Sequence, residues 1–177
     1  MSTVFTIGHS TRTLEEFITV LKAHQIDVLF DIRAFPMSRR LPHFNRESFE
    51  AEFPKHGIEY RWQKELGGRR KKTLKDSPNI ALRSDSFRNY ADHMLTEEFQ
   101  AAANAIADLA VTRRVVIMCA ERLYFNCHRM MVSDYFVAHG HEVLHIDSEK
   151  PPKPHKLMQE ARMIEGQLIY RGDRMFD

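Results

Sequence analysis

Cys119, Glu121, Cys127, His128 and Arg129 fall within one short stretch, Cys119-Ala-Glu-Arg-Leu-Tyr-Phe-Asn-Cys127-His-Arg129, directly after the apolar run Val115–Met118. Both cysteines of the chain are here. A thiolate is a nucleophile, an imidazole or carboxylate moves protons, and a guanidinium holds an anion. The run before Cys119 reads as a strand, and a helix is expected to start at Asn126. Cys127 then stands about one position inside that helix start, where backbone N–H groups and the helix dipole favour negative charge. This makes Cys127 the better nucleophile of the two, and the same features would also seat a phosphate or carboxylate. The plainer alternative is a small buried cysteine on an inner helix face. For Cys119, at the end of an apolar strand, that alternative weighs more. Glu121 could serve as general base, as a partner of Arg33 or Arg129, or as an ordinary loop carboxylate.

The elements that would position these residues follow from periodicity. Val4–Ile7 reads as a buried strand, and Thr13-x-x-Glu16 is a capping box opening a helix with Leu14, Phe17, Ile18 and Leu21 on one face. Val28–Ile32 reads as a second strand, parallel to the first across that helix. Asn45 is expected to cap a short helix carrying Phe49 and Phe53, closed by His56-Gly57. Ile58, Tyr60 and Trp62 alternate as a third strand, and a long irregular loop runs from Leu66 to Asp85. Helices over Phe87–Leu95 and Glu97–Leu109 precede the fourth strand, Arg114–Met118. The helix from Asn126 to Gly140 carries Met131, Val132, Tyr135 and Phe136 inward. A fifth strand, Val143–Ile146, is followed by the break Lys150-Pro-Pro-Lys-Pro154, one more helix and a terminal strand around Leu168–Tyr170. The alternation predicts a single α/β domain over residues 1–177, three layers with a mostly parallel sheet flanked by helices, residues 150–177 being a packed C-terminal extension.

In such a sheet the carboxyl ends of the strands share one edge. His9 and Ser10 follow the first strand, Asp31 and Arg33 sit at the second, and Cys119 and Glu121 follow the fourth. Each cluster alone could be a turn or a cap; their coincidence favours a site. Asp31 and Arg33 lie on one side of their strand, which suits a ligand-binding carboxylate–guanidinium pair or an internal ion pair.

The 177 residues are 43% hydrophobic and 28% charged, with a net charge of +2. That is the profile of a soluble globular chain, and no apolar run is long enough to span a bilayer. The N-terminal residues lack the marks of a secretory signal, so no membrane is expected and the cytoplasm is the expected compartment. The charge is too small to argue for nucleic acid by itself. The runs Arg39-Arg40 and Arg69–Lys72 nevertheless leave a nucleic-acid partner open, with Trp62 or Phe44 as stacking surfaces.

His141-Glu-Val-Leu-His145 spells the zinc-protease pattern, but it follows Gly140 and is β-prone. On a strand its histidines would be about 13 Å apart, too far for one zinc. The position at which a cysteine-phosphatase loop requires arginine holds Phe125 counting from Cys119 and Ser133 counting from Cys127. No glycine pattern of a P-loop or dinucleotide fold occurs. No cofactor is expected; a divalent metal on Cys119, Cys127, His128 and Glu121 is the alternative, and so is a redox pair of the two thiols.

Ile7-Gly-His-Ser10, Asp31-Ile-Arg33 with Pro36 and Ser38, Leu66-Gly-Gly68, Met118-Cys-Ala-Glu121, Cys127-His-Arg129 and His145-Ile146 together resemble the domain of unknown function 488 family. The resemblance implies a single α/β domain and a shared site of His9, Ser10, Asp31, Arg33, Cys119, Glu121, Cys127, His128 and Arg129. It implies no reaction. The leading expectation is an enzyme, a hydrolase or transferase with a cysteine nucleophile, acting on an anionic, phosphate-bearing or nucleotide-like small molecule. Cys127 or Cys119 attacks, His9 or His128 moves protons, Glu121 and Asp31 orient, and Ser10, Arg33, Ser38 and Arg129 bind substrate.

Overall fold

The computed structural model describes residues 1–172. In chain order the elements are β1 (Thr3–Gly8), α1 (Leu14–Ala23), β2 (Val28–Asp31), α2 (Arg46–Glu52), β3 (Glu59–Trp62), α3 (Asp85–His93), α4 (Glu97–Leu109), β4 (Val115–Cys119), α5 (Arg129–Ala138) and β5 (Glu142–Ile146), followed by β6 (Lys153–Pro154), β7 (Ala161–Ile164) and β8 (Gln167–Tyr170). The first six strands in spatial order, β3-β2-β4-β1-β5-β6, form one sheet, parallel except for the short edge strand β6. This is an α/β fold with a mostly parallel sheet.

Alternation along the strands sends side chains to two cores. Val4, Phe30, Val115, Ile117 and Val143 pack with Tyr90, Phe99, Ile106, Val132 and Phe136 of α3, α4 and α5. Phe5, Ile7, Leu29, Val116 and Met118 pack on the opposite face with Phe17 and Leu21 of α1 and Phe49 of α2. Central strands covered on both faces favour apolar residues along their length; β2 and β4 are buried throughout, and Asp31 at the end of β2 is the one charged residue in them. The capping box at Thr13 opens α1, its hydroxyl accepting the Glu16 N–H at 3.1 Å.

The order of the strands sets the position of the site. β1 and β4 are neighbours, yet β1 leads into α1 on one face and β4 leads toward α5 on the other. Their carboxyl ends therefore part around a crevice, where open α/β sheets hold ligands. The His9 N–H donates to the Cys119 carbonyl at 2.9 Å and the Ser10 N–H to the Ala120 carbonyl at 3.0 Å, which fixes the two loops against each other.

Several expectations are corrected. In place of the helix expected after the proline break stands the strand β7, which pairs with the expected terminal strand, β8, in a hairpin turning at Glu165 (φ 50°) and Gly166 (φ 79°). Two left-handed residues make a tight turn whose twist matches paired strands. The loop 67–84 carries no regular element, but its buried Asn79 donates to Asp92 at 2.8 Å and accepts the Tyr170 N–H at 2.9 Å, which ties it to α3 and β8. The last helix of the sheet begins later than expected: Tyr124–Asn126 is a 3-10 turn, and α5 starts at Arg129. Asn45 precedes α2 without a side-chain capping bond, its Oδ1 accepting the Ser38 N–H at 2.6 Å instead. His141-Glu-Val-Leu-His145 runs into β5, as its β-propensity indicates.

The segment from 150 onward packs on the sheet through a buried polar chain. Thr6 Oγ1 and His145 Nδ1 share a hydrogen bond of 2.6 Å, and His145 Nε2 and His155 Nδ1 one of 2.8 Å. His155 Nε2–H then donates to the Asp134 carboxylate at 2.7 Å, which also accepts the Tyr170 hydroxyl at 2.8 Å. Residues 173–177 of the expected extension lie outside the described residues. No helix among the described residues is long and apolar enough to cross a membrane.

Candidate functional site

A cleft of about 450 Å³ opens over the carboxyl ends of β1, β2 and β4. His9, Arg33, Ser38, Cys119, Glu121, Cys127 and His128 line it, so it gathers residues that the sequence holds far apart. Ser10, Asp31 and Arg129 do not reach its wall.

The thiols sit side by side. Cys119 ends β4 and is buried, Cys127 follows the 3-10 turn half-buried, both are free, and their Sγ atoms are 3.0 Å apart. Cys127 is not inside the helix: its backbone is extended (φ −143°, ψ 172°), and its Sγ accepts the Arg129 N–H at 3.4 Å. It stands one residue ahead of the N-cap position, which His128 holds without a side-chain bond, and its sulfur meets the first N–H of the helix. The helix end on which an anion seat was expected is therefore engaged by the sulfur itself. The hydrogen bond from Cys119, with help from the charge and N–H of Arg129, outweighs burial and lowers the Cys127 thiol from 9.0 to about 7. The same contact, together with burial, pushes Cys119 well up. Of the two thiols, Cys127 is thereby the one that ionises first, with Cys119 as its donor.

Arg129 supplies the positive charge. It is only 1% exposed, and its Nη2 donates to the carbonyls of Glu121 and Arg122, both at 3.0 Å. Its Nε has no partner, and no carboxylate pairs with it among the described residues. A buried guanidinium held only by neutral carbonyls favours any negative charge nearby. The Glu121 carboxylate does not provide it: that side chain is exposed, and only its carbonyl binds Arg129.

Asp31 and Arg33 form an internal ion pair under the cleft. The fully buried Asp31 accepts from Arg33 Nη2 at 2.7 Å, Arg33 Nε at 2.9 Å and the Tyr60 hydroxyl at 2.6 Å. Arg33 also donates to the Phe44 carbonyl at 2.7 Å and, from Nη1, to His9 Nε2 at 3.5 Å. His9 donates from Nδ1 to the Ser10 carbonyl at 2.8 Å and stacks on Phe44 at 4.1 Å. Burial, and then Arg33, lower its pKa to about 4, so at neutral pH it presents an unprotonated Nε2.

His128 donates from Nε2 to the Ile32 carbonyl at 2.8 Å, and burial lowers its pKa to about 4. Its Nδ1 faces Gly68 so closely that a Cβ there would overlap the imidazole. Gly8 is more tightly constrained, since a Cβ would overlap backbone, the Glu121 carbonyl. The sequence pattern offered Gly8 and Gly68 only as parts of the Ile7-Gly-His-Ser10 and Leu66-Gly-Gly68 pieces, and their role as points of close approach was missed. Both cysteines, His128 and Glu121 assemble no metal cluster; none exists among the described residues.

Ser38 uses its Oγ to accept the Leu41 N–H at 3.0 Å. Ser10 has a left-handed φ of 55° and lines a neighbouring groove with Arg12, Glu16 and Asp147. Phe44 is fully buried, and Trp62 donates to the Arg33 carbonyl at 3.0 Å beneath the Arg46 guanidinium. Phe44 therefore offers no stacking surface to nucleic acid, and the Trp62 ring is already covered by a cation.

Sequence reasoning also missed the mouth of the cleft. Phe35 is 65% exposed and Met37 71% exposed, and both line it with Phe87, Arg69 and Asn126. The Arg69 guanidinium lies over the Phe35 ring at 5.6 Å, so one member of the basic run leans over the opening. The only sequence signal was that run itself, read there as a loop or a nucleic-acid contact.

No curated protein and no solved structure matches the chain. A family model described as Domain of unknown function DUF488 matches residues 13–136. That span holds Asp31-Ile-Arg33, Leu66-Gly-Gly68 and both cysteines, while Ile7-Gly-His-Ser10 and His145-Ile146 lie outside it. With the match covering most of its length and both thiols, the chain belongs to the DUF488 family.

Proposed function

We propose that the chain is a thiol-dependent enzyme, with Cys127 as nucleophile, acting on an anionic small molecule in the cleft. The observation that carries this reading is the 3.0 Å contact between Cys119 and Cys127 beside the unpaired Arg129. The Cys127 thiolate, released by its Cys119 S–H donor, attacks the carbon or phosphorus of an ester; the bond to the leaving alkoxide or thiolate breaks, that group takes a proton from water, and the acyl or phosphoryl group stays on the sulfur until water hydrolyses it. The Nε2 of His9 accepts a proton from water or from a second substrate group during resolution, at the end of the cleft held by Arg33. Arg69 at the mouth meets the anionic group, and Phe35 and Met37 cover the remainder of the substrate.

The test is a turnover screen over phosphoesters, thioesters and carboxylic esters with the intact protein. Cys127→Ala should abolish turnover, and Cys119→Ala should reduce it. Full activity in both variants would eliminate nucleophilic thiol catalysis.

The same contact favours a second reading, a dithiol exchanging with a small-molecule disulfide. Cys127 thiolate would displace one thiolate from that disulfide, and Cys119 would then displace the other, leaving Cys119–Cys127 oxidised and the disulfide reduced to two thiols. Counting free thiols before and after exposure to oxidised glutathione separates the readings: a loss of both thiols per chain supports exchange.

A further inference from the structure

Behind the segment that carries the thiols lies a second cavity, of about 410 Å³, which the proposed thiol chemistry does not use. Its apolar wall includes Tyr124, Phe125 and Pro151, and its basic wall includes Arg129, Lys150 and Lys153. The Tyr124 ring is held flat against His145, with centroids 3.7 Å apart and planes 4° from parallel. The carboxylate at the rim, Asp147, is taken up by Arg122 through bonds of 2.8 and 3.0 Å. Lys150 and Lys153 are exposed and make no ion pair among the described residues.

Arg129 is what marks this cavity as a ligand site. Its side chain is almost wholly buried, lines this cavity and not the thiol cleft, and keeps an unpartnered Nε. Burying a guanidinium without its full set of acceptors is costly unless an anion completes it. The lysines at the rim would add attraction without fixed geometry.

We propose that this cavity binds a small phosphate- or carboxylate-bearing molecule, its anionic group at Arg129, Lys150 and Lys153 and its planar or apolar body against Tyr124 and Phe125. The site stands apart from the thiol chemistry, but Arg129 serves both. An anion docked here competes with the Cys127 sulfur for the same guanidinium, so occupancy should make Cys127 less reactive. That second effect rests on the thiolate reading above; the binding itself does not.

Calorimetric titration of the full chain with inorganic phosphate and, in a separate arm, adenosine monophosphate tests the site. Saturable binding of either anion is expected, tighter for the nucleotide because it also meets the rings. The Lys150→Ala/Lys153→Ala double variant should weaken it about tenfold or more, and Phe125→Ala should weaken the nucleotide arm alone. Cys119→Ala and Cys127→Ala should leave binding in place. In the wild-type chain, saturating anion should slow alkylation of Cys127 by iodoacetamide. No saturable binding of either probe, or binding unchanged in the double lysine variant, would overturn the site. Binding without any change in alkylation would uphold the site and remove its link to the thiol.

Discussion

Gly8 passes directly beneath the carbonyl of Glu121, with no room for a single carbon between them. That carbonyl accepts from Arg129, whose charge favours the thiolate at Cys127. A missing side chain on β1 therefore sets the height of the loop that carries the cation.

Gly8→Ala should consequently do more than crowd the interior. Backbone meets the new methyl group, and overpacking of that kind costs about 1–3 kcal/mol. Urea unfolding should show this loss, and alkylation of Cys127 should slow as Arg129 moves. Gly68→Ala meets only the His128 ring, a side chain, and should cost less. Equal losses in the two variants would contradict this ranking.

The ionisation of Cys127 can be read from the pH dependence of iodoacetamide labelling. In the wild-type chain the midpoint should lie near 7. Cys119→Ala removes the main donor and should move the midpoint upward, whereas Cys119→Ser, which keeps a hydroxyl donor, should restore part of the shift. A midpoint indifferent to residue 119 would show that Arg129 alone governs the thiol.

Acid should weaken the fold before most carboxylates titrate. Burial lowers His9 and His128 to about 4 and His145 to about 3, against 6.5 when unfolded. Between these values the unfolded chain binds more protons than the folded one. The stabilising effect of keeping the rings neutral is thus complete above pH 6.5 and is lost as pH falls toward 4. Each ring contributes a slope of up to about 1.4 kcal/mol per pH unit in that window. Denaturant midpoints at several pH values between 7 and 4 measure the sum, and a flat profile would refute the burial of these rings as neutral groups.

Tyr170→Phe deletes one donor to the buried Asp134 carboxylate while leaving the ring in place. The expected loss is about 1–3 kcal/mol, because a buried acceptor of negative charge is left short of a partner. Thermal unfolding of the variant checks it. No loss would mean that water replaces the hydroxyl.

How much of this could be seen in the residues depended on how local each cause was. The Thr13–Glu16 cap and the helix Glu97–Leu109 rest on neighbouring side chains and periodicity, and both occur where the pattern places them. The strand-end clustering was legible because parallel connections put carboxyl ends together whatever the details. The hairpin at Glu165-Gly166 was not, since Arg162-Met-Ile is too short to distinguish a strand from a helix. Arg129 was read as a substrate-binding residue of the cleft, and its withdrawal from the cleft wall was hidden, because burial of an arginine depends on carbonyls offered by Glu121 and Arg122 in a loop whose path no periodicity reveals. The true start of α5 was missed for a related reason: His128 precedes it without a side-chain capping bond, so no capping residue announces it.

The pairing of β1 with β4 has a last consequence. Val4 lies against Val115, and Gly8 against Cys119, across most of the chain's length. Contacts so remote in sequence are slow to form, because a long loop must close first. The loop that places Arg129 beside Cys127 is held by that pairing, so the sulfur is expected to label at its native speed only once β1 and β4 have met. Labelling speed at that one sulfur becomes a clock for the closing of the sheet, readable during refolding without any added dye.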